Sequence, residues 1–263
     1  MSNESTARAR AEAFRDAHEL GTSPIGDVFE LVYRSTGIDV SVIDASTAEH
    51  GLTMKDPRSD RICIAVARTE NPMRQRSSVV HELGHVLAGD LDSDDSLSPG
   101  SRNNAEIQAD TFARHLLLPI AALAGRTVGT PTYDDPLLSE VIQEFGVSPQ
   151  VAAIQMREAG LIDASTCDAW MRLSTRHIAA INGWLDRYDQ LAEDSNRARA
   201  PQGLLSRAVR AYRHGQLGLA ELAAWYGRPE AELEAELGPP IEQTEPEDPW
   251  DATASIFDPP SPA

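Results

Sequence analysis

The sequence has 263 residues, a formal net charge of −18 and a pI near 4.7. A chain this acidic is not expected to bind DNA or anionic membranes through its overall charge. It contains no run of about 18 apolar residues and no basic and hydrophobic signal region at its start, so we expect a cytoplasmic protein without a membrane span. The two cysteines, Cys63 and Cys167, are expected to be reduced thiols.

The first third of the chain predicts two helices followed by three short strands. The helices cover residues 7–20 and 24–36, and the second is expected to begin at Ser23-Pro24 and to end at Gly37. The strands are rich in β-branched residues and are separated by polar turns. They cover residues 38–43, 50–54 and 61–67.

The next predicted helix carries the motif His81-Glu82-Leu83-Gly84-His85. Asn71-Pro72 is a suitable N-terminal cap and first turn, and Gly89 is a suitable stop. Positions four apart project from one face of a helix, so His81 and His85 could both bind a zinc ion, and Glu82 could serve as a base beside it. The alternative is a buried helix whose histidines only pack or form hydrogen bonds.

A catalytic zinc ion usually takes three protein ligands, so a third ligand is expected outside the motif. Ala88 and Leu91 occupy the positions where a metzincin would have its glycine and third histidine, which excludes that class. The following helix places Glu106 and Asp110 on one face. Glu106 could bind the metal, and Asp110 could accept a hydrogen bond from the outer N–H of a ligand histidine. His115 lies nine positions after Glu106 and should point away from the metal.

These segments resemble the ImmA/IrrE family of metallopeptidases. The family pattern is an HExxH helix, then Glu-x-x-Ala-Asn/Asp-x-Phe-Ala, then Leu-Leu-Met-Pro or a similar end. Residues 76–85, 106–113 and 116–119 correspond to it, and a helix-turn-helix-like stretch through residue 162 extends the resemblance to roughly residues 10–162. Ser77-Ser78 departs from the Phe-Thr that the family often has before the motif.

The resemblance implies that His81, His85 and Glu106 are the zinc ligands and that Glu82 is the catalytic base. Family members are known or proposed to cleave DNA-binding repressors, which relieves repression of mobile elements or stress genes. In zinc peptidases of this kind the strand before the metal helix borders the cleft. Residues 61–67 are therefore expected to form either an edge that pairs with an extended substrate or an ordinary edge strand. Tyr133, in a loop rich in Gly, Pro and Thr, could stabilise an oxyanion or simply pack.

Beyond residue 162 the pattern is helical and carries no catalytic motif. Helices are predicted at 165–173, 174–191, 203–214, 218–226 and 229–237. A small aromatic core is expected from Trp170, Trp184, Tyr188, Tyr212, Trp225 and Tyr226.

An arginine run, two helix-turn-helix-like stretches and an acidic C-terminal segment bear on the choice of partner. Residues 197–213 hold five arginines and no acid, a run that could meet phosphate or an acidic protein surface, or form a solvated face. Helix-turn-helix-like stretches surround Gly146 and Gly227, but the first has too little positive charge around it for DNA recognition. Residues 239–263 hold seven prolines and six acids without Lys or Arg, which predicts a disordered tail. The favoured role of this tail is to keep the protein soluble. The alternative is that Trp250, Ile256 and Phe257 form a short docking motif or fold back on the arginine run as an inhibitor.

The predicted fold class is α+β: a mainly helical zincin-like core with a small three-stranded sheet and an all-helical C-terminal extension. The predicted domains are a peptidase domain (1–162), the extension (163–238) and the tail (239–263). The predicted function is a zinc-dependent endopeptidase that cleaves a specific intracellular regulatory protein, a helix-turn-helix transcriptional repressor. The alternative is a non-proteolytic regulator that binds a transcription factor or DNA and has a structural or vestigial zinc site. Intact Glu82 favours the enzyme, because a structural zinc site needs no base.

Overall fold

The computed structural model describes residues 3–45, 51–55, 60–89, 104–129 and 136–241. This part of the chain is mainly helical and contains one small sheet, which confirms the predicted α+β class. By its residue contacts the chain forms two compact units, residues 1–202 and 203–263. The division at residue 162 into a peptidase domain and an extension stays a prediction. None of the described helices has the length and apolar character needed to cross a membrane.

The first unit consists of nine α-helices, a short 3-10 helix at Ile120–Leu123 and three strands in its described residues. The helices are α1 (Asn3–Ala17), α2 (Val28–Thr36), α3 (Pro72–Ala88), α4 (Asn104–Leu117), α5 (Pro136–Phe145), α6 (Pro149–Glu158), α7 (Ala164–Trp170), α8 (Thr175–Ile181) and α9 (Leu185–Ser195). The strands are β1 (Asp39–Ile43), β2 (Leu52–Lys55) and β3 (Ile62–Ala67).

The three strands form a mixed sheet in the order β1-β3-β2. β3 pairs in parallel with β1, where Val40 lies opposite Ile64, and antiparallel with β2, where Thr53 lies opposite Ile64. The strand before the metal helix is therefore the centre of the sheet, and the prediction that it forms an edge is wrong. Both of its sides are already hydrogen-bonded, so it has no backbone groups free to pair with a substrate.

Several helix boundaries differ from their predicted positions, and the first helix, α1, covers Asn3–Ala17 and not residues 7–20. α2 begins after Asp27, whose carboxylate accepts hydrogen bonds from the N–H groups of Phe29 and Glu30, and not at Ser23-Pro24. The predicted single helix at 174–191 is two helices, α8 and α9. Gly183, at φ 74°, lies in the left-handed region between them and ends the helical path. Gly37 ends α2 as predicted.

One continuous apolar core holds the first unit together, and it draws residues from α1 through α9. Trp170, Trp184 and Tyr188 are buried in this core, whereas Tyr212 belongs to a separate core in the second unit. Trp225 and Tyr226 are more than a third exposed. The prediction of one aromatic core for the C-terminal helices is therefore wrong. Cys63 and Cys167 are free thiols, and burial raises the pKa of both.

The second unit is described through α10 (Gln202–Arg213), which begins at the boundary, α11 (Leu219–Tyr226) and α12 (Glu230–Leu237). Its small core is formed by Ala208, Tyr212, Leu222, Ala223 and Leu233. The Tyr212 hydroxyl donates to the carbonyl of Gly238, 2.9 Å away, and so ties the end of α12 to α10. Residues 242–263, for which a disordered tail was predicted, lie outside the described residues.

His115 is buried beside a polar contact between α4 and α6, and this burial determines its charge state. The amide of Gln155 donates to the carbonyl of Leu118 and lies 3.3 Å from His115 Nδ1. Burial, followed by the positive charge of Arg114, lowers the pKa of His115 to about 4. Glu158 is 3.6 Å from Nε2, beyond good hydrogen-bonding distance, so it does not restore the charged form.

His115 should therefore weaken the fold in acid. Its pKa is lower in the folded than in the unfolded chain, so the unfolded chain binds more protons between pH 6.5 and 4, and stability falls as pH falls through that window. His115→Asn keeps an acceptor for Gln155 without this titration. Between pH 7 and 5 the zinc-free wild type should lose about 2 kcal/mol more of its unfolding free energy than the variant does. Urea unfolding at the two pH values measures the difference, and equal losses would contradict the assignment.

Candidate metal centre

Helix α3 is fixed at both ends by the residues that the sequence indicated. Asn71 caps its N-terminus by accepting a hydrogen bond from the N–H of Arg74, and Pro72 occupies the first turn. Gly89 ends the helix at φ 71°, and its N–H bonds to the carbonyls of His85 and Val86. The motif thus lies in the last two turns of a well-capped helix, where His81 and Glu82 are buried.

Gly84 lets the two metal-bearing helices approach each other closely. A Cβ atom at this position would lie 3.1 Å from the ring of Phe112 and 3.2 Å from the Cα of Ala109, both on α4. These separations are tighter than ordinary van der Waals contacts, so a larger residue would push α4 away. The glycine inside the motif is therefore a packing requirement, and it brings the acidic face of α4 next to His81 and His85.

Three side chains meet where the helices face each other. Nε2 of His81 and Nε2 of His85 are 3.1 Å apart. The carboxylate of Glu106 lies across both of them, with Oε2 3.3 Å from His81 Nε2 and Oε1 3.3 Å from His85 Nε2. Each residue offers one possible ligand atom, and the three atoms lie within 4.8 Å of one another. The structure therefore brings together the predicted ligand set.

The spacing of these atoms fits a tetrahedral zinc ion. Zinc binds histidine nitrogen and carboxylate oxygen at about 2.0–2.2 Å, and a tetrahedron of that size has edges of about 3.3–3.6 Å. The three separations of 3.1, 3.3 and 3.3 Å are close to such edges. Two imidazoles and one carboxylate are also the ligand set of a catalytic zinc site that keeps a fourth position open. We propose zinc as the metal, because these ligand residues and their spacing fit it.

Asp110 holds the ring of His81. Its Oδ1 lies 2.9 Å from His81 Nδ1, so the Nδ1–H can donate to the carboxylate and leave the Nε2 lone pair directed at Glu106 and His85. Burial lowers the pKa of His81, but the hydrogen bond to Asp110 and the nearby acidic charges raise it by more, so the net pKa is raised. This is the contact that the sequence predicted for Asp110.

Glu82 turns toward the sheet. Its side chain is only 6% exposed, and its Oε2 accepts a hydrogen bond from the Thr53 hydroxyl at 2.6 Å. A Cβ atom on Gly51 would lie 2.9 Å from Glu82 Oε1. Thr53 and Gly51 were not predicted as site residues, because a contact such as that between Thr53 and Glu82, 29 positions apart, leaves no spacing signal. The alternation of a strand puts residues 51 and 53 on one face, and this is the one signal in the sequence that relates these two residues to each other.

Two other residues that the sequence singled out, His115 and Arg199, lie outside this cluster. His115 contacts Gln155 and Glu158 and stands apart from the three-residue cluster, as predicted. Tyr133 lies outside the described residues, so its role as an oxyanion donor stays a prediction. Arg199, from the arginine run, packs over the ring of Phe29 with its guanidinium carbon 4.8 Å from the ring centroid.

A short mixed sheet lies against the HExxH helix, and an acidic residue from the next helix lies beside both histidines, an arrangement that could hold a metal ion. Residues 34–157 match the model of the IrrE N-terminal-like domain, a family of M78 peptidases. This match confirms the ImmA/IrrE resemblance over residues 34–157 and identifies a domain of metallopeptidase type there. A peptidase family implies a protein substrate. A comparison with curated proteins gives no significant match.

Proposed function

We propose that this protein is a zinc-dependent endopeptidase that cleaves a specific regulatory protein, a helix-turn-helix transcriptional repressor. The observation that carries the proposal is the convergence of His81, His85 and Glu106 at tetrahedral spacing with the buried carboxylate of Glu82 next to them. A structural metal site would need the ligands alone. The additional buried acid, held by a hydrogen bond, supports a reaction in which a proton moves.

The roles follow from the donor atoms. His81, His85 and Glu106 would hold the metal, and Asp110 would fix the tautomer and orientation of His81. A bound zinc ion supplies a Lewis acid that polarises the scissile carbonyl and makes a water molecule more acidic. Glu82 accepts the proton of the attacking water and then delivers it to the nitrogen of the leaving amine, so the residue ends the cycle as it began.

β2, an edge strand of the sheet in the described residues, lies next to this base. β1 is partly covered on its outer side, because Val42 and Arg199 exchange two backbone hydrogen bonds of 2.9 Å. In the described residues β2 pairs only with β3, so its other side offers backbone groups. The Thr53 hydroxyl on this strand holds Glu82. An extended substrate pairing with β2 would therefore bring its backbone alongside the base.

The charge of α12 supports a protein partner over DNA. In its helix-turn-helix-like stretch, Gly227 separates α11 from α12 at φ 62°. The second helix carries four glutamates, two of which bind Arg228: Glu232 at 3.4 Å and Glu236 at 2.8 Å. A helix with this charge would be repelled by phosphate, so we expect no DNA binding through it. It is compatible with the basic surface that a DNA-binding repressor presents.

Co-expression with candidate repressors tests the proposal. Wild-type protein should cut its partner at one or a few sites, and the summed intact masses of the fragments should exceed the mass of the partner by one water for each cut. A chelator should stop cleavage in the purified reaction, and added zinc should restore it. If partner activity changes but no fragment forms with any candidate, the endopeptidase proposal fails and a non-proteolytic binding role replaces it.

A further inference from the structure

The carboxylate of Glu82 has one hydrogen-bonding partner among the described residues, and it comes from the edge strand. Thr53 Oγ1 donates to Glu82 Oε2 at 2.6 Å, within the short range typical of a hydroxyl bonded to a charged carboxylate. Thr53 itself is fixed by the sheet, since it lies opposite Ile64, which is completely buried in the central strand. The donor is thus placed by backbone pairing and not by a mobile loop.

A buried glutamate near a metal centre needs such a partner. Its side chain has three rotatable bonds, and an ionised carboxylate removed from water is unfavourable unless it is hydrogen-bonded. With Oε2 held by Thr53, rotation of the carboxylate is restricted, and Oε1 is left as the oxygen that can accept a proton. Misplacing a reacting group by about 1 Å can lower a rate by about 100-fold, so this restriction affects turnover directly.

Gly51 provides the space that this orientation requires. A Cβ atom at position 51 would lie 2.8 Å from Glu82 Cγ and 2.9 Å from Oε1, and 3.1 Å from the carbonyl oxygen of Ala65. Its φ is outside the left-handed region, so the backbone itself would accept alanine. The obstacle to a larger residue is therefore contact with Glu82 and the neighbouring strand.

We propose that Thr53 is a positioning residue for the catalytic base and that Gly51 keeps room for the same carboxylate. The inference rests on the proposed function, in which Glu82 transfers the proton. Thr53 acts only through Glu82: its hydroxyl holds Oε2, and it neither binds the metal nor touches the scissile bond. The edge strand therefore has two tasks, pairing with the substrate through its backbone and orienting the base through one side chain.

The contact is tested first without zinc. Thr53→Val keeps the shape of the side chain but removes the donor, and it should raise the unfolding equilibrium constant about 10-fold in the zinc-free protein. In a Glu82→Ala background the same change should raise it by less than about threefold, because the partner is gone. Ser41→Ala is the matched control. Ser41 donates to Ile64 O on the other side of β3, so its effect should be equal in both backgrounds.

The function is tested with the zinc-loaded proteins. Thr53→Val should lower kcat on the cleaved partner about 10-fold or more and change KM by less than about twofold, with unchanged zinc content. Thr53→Ser keeps the hydroxyl and should stay within about threefold of wild type, whereas Gly51→Ala should resemble Thr53→Val. Acetohydroxamate binds zinc and can hydrogen-bond to a neighbouring carboxylate. Its affinity, measured by calorimetry, should fall in Thr53→Val and Gly51→Ala and stay close to wild type in Thr53→Ser.

The outcomes separate this inference from the proposed function. If Thr53→Val has the same effect on stability with and without Glu82, the contact is not present and the inference is wrong. If the contact is present but both hydroxamate affinity and kcat are unchanged in Thr53→Val, the positioning role is wrong. If wild type binds hydroxamate but cleaves no partner, the proposed function fails, and the hydroxamate series then decides alone whether Thr53 orients Glu82.

Discussion

Replacing Glu106 with alanine should release zinc from the protein about as completely as replacing His81 or His85. The Glu106 carboxylate contacts both histidines at 3.3 Å, so its loss removes one of three ligands and leaves an open pair of imidazoles. The expected fall in affinity is well beyond the roughly 10–100-fold typical of a residue that only supports a ligand. Elemental analysis of purified protein should show about one zinc per chain for wild type and almost none for the variant.

Two further variants make this result specific. Asp110→Ala removes the bond to His81 Nδ1 but no metal ligand, so its zinc affinity should fall by about 10–100-fold and its fold should persist. Glu140→Ala removes an exposed carboxylate on α5 and should keep the full zinc content. Full zinc content in Glu106→Ala would remove Glu106 from the ligand set, and the metal would then need a third ligand from another part of the chain.

Much of the centre could be predicted because its determinants are local. The capping residues of α3 and the two histidines belong to one short stretch of the chain, and helix geometry relates their positions directly. Glu106 and Asp110 were predicted in the same way, as a pair four apart on one helix. Their meeting with α3 depends on Gly84, whose missing side chain permits the close contact with α4. The sequence showed this glycine, but its packing role follows only from the structure.

The order of the strands could not be predicted by the same reasoning. Three short strands in succession are compatible with several arrangements, and their β-branched composition does not distinguish a central from an edge strand. The chain places β3 between β1 and β2, which makes β2 the edge beside Glu82. Because the role of Thr53 depends on that order, neither the edge nor the partner of the base could be read from residue spacing.

The sequence also did not show which aromatic residues belong to which apolar core. Trp184 and Tyr188 follow Gly183, and the turn at that glycine places them in the core of the first unit. Tyr212 lies in the other core, and Trp225 remains exposed at the end of α11. A helical pattern indicates which face of a helix is apolar but not which neighbour covers it.

Replacing Glu82 with glutamine should abolish cleavage and leave the metal centre intact. The amide matches the carboxylate in size and can still accept the hydrogen bond from Thr53, so the side chain should keep its buried position. It cannot take a proton from water at neutral pH, and the loss of a general base lowers turnover by about 10²–10⁴-fold. Zinc content should equal that of wild type, because His81, His85 and Glu106 are unchanged.

The same variant should also retain its partner, since binding and proton transfer use different groups. Affinity capture with Glu82→Gln, followed by mass spectrometry, should therefore recover the uncut substrate, whereas wild type should yield fragments. A Glu82→Gln protein that cleaves at the wild-type rate would show that another group serves as the base. A variant that has lost zinc would show that Glu82 also supports the metal site, and turnover would then have to be compared at equal zinc occupancy.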